Sequence, residues 1–136
     1  MAGTIPSLWP DDIKTDVLTP LAILRTQANA LRQATRGLLE ARVNSLTEDD
    51  REVHQLDIVA PALDYEHRIL TVSHNKDLVY PAHVVLKGLP IAEVANDDQL
   101  MEKLREYLAT IPVRSVISSL IARSNEHTNS PSSSAE

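Results

Sequence analysis

With 136 residues the chain has room for one domain of the commonest size and not for two. An apolar content of 43% can fill an aliphatic core without a single Phe, and a formal net charge of -6 argues against wrapping nucleic acid or docking on anionic lipid. The lack of Cys excludes disulfides, thiolate nucleophiles, iron–sulfur clusters and Cys-based zinc sites, and leaves the redox compartment open.

The opening MAGTIPSLWPDD has neither a basic n-region nor an apolar h-region. No run approaches the roughly 18 apolar residues of a spanning helix, so a soluble cytoplasmic protein is expected. Residues 1–16 read as an irregular lead-in punctuated by Pro6, Pro10, Asp11 and Asp12. The lone Trp9 either pins this lead-in to the core or projects as an anchor for a partner. Leu8, Ile13, Val17 and Leu18 around it favour pinning.

Thr19 and Pro20 mark a helix start, because a Thr side chain can accept from an orphan N–H and Pro at the first helical position forfeits no donor. Leu21, Leu24, Ala28, Leu31, Thr35 and Leu38 then fall on one stripe of a helix of roughly 17 residues, ending at Gly37 as a left-handed cap. From Leu38 the period changes to two. Ala41–Thr47 and Val53–Ala60 alternate around the polar turn Thr47–Asp50, and Leu56, Ile58 and Ala60 share a face. Pro61–Asp64 breaks that strand, Tyr65–His74 makes a third, and Leu78–Lys87 a fourth whose firm part is Ala82–Lys87, beyond Pro81. Asn96–Gln99 reads as a capped helix start followed by Leu100, Met101, Leu104, Tyr107, Leu108 and Ile111. Pro112 restarts a last helix lined by Val113, Val116, Ile117, Leu120 and Ile121. Residues 124–136 lack apolar periodicity and read as a disordered tail.

This order predicts one α+β domain over 17–123: an N-terminal helix, a four-stranded antiparallel meander and two C-terminal helices packed on one sheet face. The gaps between strands are too short for the crossovers of a parallel sheet. Such a sheet has two edges. Ala82–Lys87, with Val84, Val85 and Leu86 in a row, is the least charged stretch near one, so a symmetric homodimer through edge strands or surplus helix faces is expected.

Chemistry is sparse. Four of the five histidines fall within the strands, and pairing Leu56 with Val72 would set His54 opposite His74; His54, His74 and His83 are the candidate metal ligands, although no metal-binding motif accompanies them. Arg25, Asn29, Arg32 and Arg36 recur at helical spacing away from the Leu stripe, so Arg25, Arg32 and Arg36 are the candidates for gripping phosphates or an acidic partner. Nucleic acid is disfavoured because Tyr65 and Tyr80 are the only aromatic platforms on the sheet. Asp57 and Arg68 read as a surface ion pair. Ser73, Ser115, Ser118 and Ser119 are nucleophiles by residue type alone, and with no G-x-S-x-G, S-x-x-K, Walker or Rossmann pattern no catalytic residue is singled out and no cofactor is implied. The expectation is a small acidic, non-enzymatic protein-interaction domain of the adaptor, chaperone-like or immunity type. The alternatives are a metal-dependent enzyme or ligand binder using the sheet histidines, and a nucleic-acid binder using the Arg stripe.

Overall fold

The computed structural model describes residues 3–129. Helix α1 (Pro20–Ala34) precedes five strands, β1 (Glu40–Glu48), β2 (Arg51–Ala60), β3 (Tyr65–Asn75), β4 (Ala82–Val85) and β5 (Ala92–Val94), and helices α2 (Asp97–Leu108) and α3 (Ile111–Asn129) follow. The strands form one antiparallel meander in sequence order. The fold is therefore the expected α+β arrangement with one strand more than the four predicted.

Local chemistry sets the boundaries. Thr19 caps α1 by accepting from the Ala22 N–H at 3.1 Å, and Pro20 occupies the first turn. The helix stops at Ala34, three residues before Gly37, because Arg36 already adopts a left-handed φ of 54°. The N–H groups of Arg36 and Gly37 then return to the carbonyls of Gln33 and Arg32 at 3.2 and 2.8 Å, the paired bonds of a Schellman ending. Thr35 joins this ending to the sheet, its hydroxyl lying 3.0 Å from the Leu31 carbonyl and accepting the Leu39 N–H at 3.1 Å. At α2, Asn96 accepts from the Gln99 N–H and the Gln99 side chain accepts from the Ala95 N–H, both at 2.8 Å.

The period-two pattern puts one sheet face under the helices. Leu56, Ile58, Leu70, Val72, Ala82, Val84 and Val94 are buried there in a single core with Ile23 and Leu24 of α1, Leu100, Leu104 and Tyr107 of α2, and Val113 and Leu120 of α3. The other face carries Arg51, Ser73, His83 and Glu93 in a row across β2 to β5. Between β2 and β3, Leu56 faces Leu70 while Asp57 faces Arg68, which leaves the buried Ile69 as the extra residue of a bulge. The register is thus two residues from the Leu56–Val72 pairing: His54 lies opposite Val72 and His74 opposite Glu52. An even shift keeps both rings on the same face.

Several expectations are corrected. Strand β4 is not an edge, because β5 pairs with it through Ala82↔Val94, His83↔Glu93 and Val84↔Ala92; the edges are β5 and the nine-residue β1. Residues 124–129, expected in the tail, continue α3, and Ser124 is fully buried. Residues 130–136 of that tail and the first two of the lead-in lie outside the described residues. Trp9 does not pin the lead-in, being 76% exposed, and Ile5 and Leu8 point outward with it. The tether is polar and sits further on: the Leu18 N–H donates to Asp97 at 3.1 Å, and the Leu18 carbonyl accepts from the Tyr80 hydroxyl at 2.7 Å. Burial, and then the Asp97 charge, push that phenol up to about 12. None of the helices formed by the described residues is long and apolar enough to cross a membrane.

Candidate functional site

Strand β1 sets Ser45 opposite His54 of β2, and the helix-side face brings His74 of β3 alongside. The His54 and His74 rings stack with centroids 5.1 Å apart, and their Nε2 atoms are 3.0 Å apart. His54 Nδ1 lies 2.7 Å from Ser45 Oγ, and His74 Nδ1 lies 2.7 Å from the carbonyl oxygen of Asn75. With both rings neutral the hydrogens have one consistent arrangement. A carbonyl can only accept, so His74 carries its hydrogen on Nδ1 and offers a lone pair at Nε2. His54 then donates from Nε2, which leaves its Nδ1 to accept from the Ser45 hydroxyl. Every polar atom of the row is satisfied in one direction, from Ser45 through His54 and His74 to the backbone.

The surroundings keep His54 neutral. Both rings are about 95% or more buried, whereas Ser45 is exposed at the edge strand. Burial holds His54 below its ordinary value of 6.5, His74 and Arg25 act in the same direction, and Glu52 opposes them. His54 is therefore a buried, neutral imidazole at physiological pH, hydrogen-bonded to the hydroxyl of an exposed residue.

His83, the third predicted ligand, is on the opposite face. Its Nδ1 accepts from the Arg51 guanidinium at 3.1 Å and its Nε2 lies 3.6 Å from Glu93. The proposed trio is divided by the alternation of side chains along β3 and β4, since His83 faces Ser73, which points away from its neighbour His74. Among the described residues no group of three or more His, Asp or Glu side chains is placed to hold a metal ion.

The Arg stripe is likewise divided. Arg25, Asn29 and Arg32 line a groove of about 220 Å³ between α1 and β1, with Glu40, Ala41 and Val43 on its far wall. Arg36 leaves the stripe because the helix ends two residues before it. Asp57, expected in a surface pair, is only 5% exposed and accepts from Arg68 Nε at 3.0 Å and Asn44 Nδ2 at 2.9 Å. A carboxylate so paired anchors the bulge and offers no free acid.

The sequence reading missed Ser45 as a member of the cluster. The signal was the two-residue Asp49–Asp50 turn: once it is recognised, with Asp49 at a φ of 55°, the hairpin register places Ser45 against His54. A second groove, apolar and about 290 Å³ in volume, opens between α1, α3 and the sheet, walled by Leu31, Ala34, Leu56, Ile58, Ile69 and Ile117. In comparisons with known proteins the chain matches no family model, no curated protein and no solved structure.

Proposed function

We propose that the chain is a non-enzymatic protein-interaction module of the adaptor, chaperone-like or immunity type that acts as a homodimer. The observation that supports this most is the segment before α1, where Ile5, Leu8, Trp9 and Ile13 are each at least half exposed and no helix or strand among residues 3–18 shelters them. Large apolar side chains gathered in one exposed segment mark a contact surface, and Trp is the residue type most enriched at binding hot spots. A second copy is the favoured occupant because every copy carries both an apolar arm and the apolar groove between α1 and α3. Two-fold closure satisfies both at once. Strand β1, nine residues long and open along one side, offers a second surface of the same symmetry. Sedimentation of the wild type and of Trp9→Glu tests the reading. A wild-type dimer that becomes a monomer with unchanged circular dichroism supports it; a wild-type monomer at tens of micromolar contradicts it.

A further inference from the structure

We propose that Ser45 is an acyl acceptor, a hydroxyl nucleophile served by His54 as base and oriented through His74, which takes an acyl group from an activated ester bearing a negative charge. The geometry carries the assignment. Nucleophile and base are 2.7 Å apart, and the far nitrogen of the base is held at 3.0 Å by a third group that is itself fixed to the Asn75 carbonyl. A nucleophile, a base and an orienting group in hydrogen-bonded series are the parts that activate a serine on unrelated folds. Ser45 is an exposed residue while the base is only 3% exposed, so His54 is sheltered from bulk water.

The charge preference comes from the neighbouring groove. Val43 lies two residues before Ser45 on the same face of β1, and it shares the groove with Arg25, Asn29 and Arg32. The Arg25 charge also acts to lower the His54 value. The groove would take the ester's carboxylate at Arg25 and Arg32 and leave its carbonyl to reach Ser45. In the step, the bond from Ser45 Oγ to the carbonyl carbon forms as the hydroxyl proton passes to His54 Nδ1. Collapse breaks the bond to the leaving oxygen, which receives that proton from His54, and leaves an O-acyl serine.

The full chain is incubated with a 4-nitrophenyl ester carrying a free carboxylate and, separately, with 4-nitrophenyl acetate, and followed by intact mass and peptide mapping. One acyl group on Ser45 is expected. Ser45→Ala abolishes it, and His54→Gln slows it by about a hundredfold or more. Arg25→Gln slows the anionic ester by about tenfold and the acetate little. Because His54→Gln can disturb packing, the wild-type pH profile is the second measurement: the rate should rise to a plateau with its midpoint below pH 6.5, the ordinary histidine value. His74→Gln should move its midpoint upward, since His74 helps to hold His54 down and leaves Glu52 opposed by burial and Arg25 alone. No adduct, an adduct on another residue, or a rate that climbs with hydroxide and shows no plateau overturns the proposal. Equal loss for the two esters in Arg25→Gln overturns the charge preference.

Discussion

Leu24 and Leu31 occupy equivalent places in the apolar stripe of α1, and hydrophobic periodicity alone ranks them equally. The fold separates them. Leu24 is 0% exposed at the centre of the core, whereas Leu31 is half-buried on the wall of the 290 Å³ groove. Truncation of Leu24 to Ala removes three carbon atoms at about 0.8 kcal/mol each, or about 2.4 kcal/mol, and the cavity left among fixed neighbours raises the loss to about 3–5 kcal/mol. Leu31→Ala only widens an existing opening and should cost about 1–2 kcal/mol. Urea denaturation of the two variants with an unchanged m-value, extrapolated to water, measures the difference. Equal losses near 4 kcal/mol in dilute protein would refute the reasoning and show that the groove is filled by packing within one copy. A cost at Leu31 that grows with protein concentration is the result expected if a second copy occupies it.

Acid should weaken the fold through His54. Because its folded value lies below the ordinary 6.5, the unfolded chain binds more protons as pH falls beneath 6.5. The stability contributed by the neutral ring is complete above that pH and is lost on descent towards the folded value, so the denaturant midpoint should fall as the pH drops below 6.5, and less in His54→Gln. Arg36→Gly should stabilise by about 0.5–1 kcal/mol, since the left-handed φ of 54° suits Gly at the Schellman position; a loss in thermal and urea melts would contradict that ending. Val84→Lys places a charge at a fully buried site and should cost more than about 4 kcal/mol, while Val85→Lys, 39% exposed on the opposite face, should stay within about 0.5 kcal/mol. Loss of dimer in a folded Val85→Lys would move the interface to that face.

Features set by local chemistry could be read from the chain. The Thr19–Pro20 start, the Asn96 cap, the break at Pro61 and the restart at Pro112 all depend on residues within one turn of the boundary. The end of α1 could not be read so well, because Arg36 takes the left-handed position that composition assigns to Gly37, and the helix closes early. Strand β5 is only three residues long between Pro90 and Asn96, too short for alternation to register, and it exists because β4 supplies its partners. Its omission made β4 look like an edge. At the site, the shared face of His54 and His74 was legible from even spacing, but their neighbours depended on the bulge at Ile69, which no local signal announces. Trp9 was misplaced for a different reason: apolar neighbours show what a segment would gain by burial, not that this chain provides the surface to bury it against.

Docking of the apolar arm before α1 on a second copy can be read from the emission of Trp9, the only Trp in the chain. A dilution series from hundreds of micromolar to below one micromolar is read by fluorescence and by sedimentation on the same samples. An arm buried between two copies should give a blue-shifted emission at high concentration that moves to a water-exposed spectrum along the same curve by which dimer converts to monomer, and a water-exposed spectrum at all concentrations in a folded Ile5→Asp, Leu8→Asp double variant. A water-exposed spectrum at every concentration with a single monomeric species, or a dimer whose formation leaves the Trp9 spectrum unchanged, would contradict it.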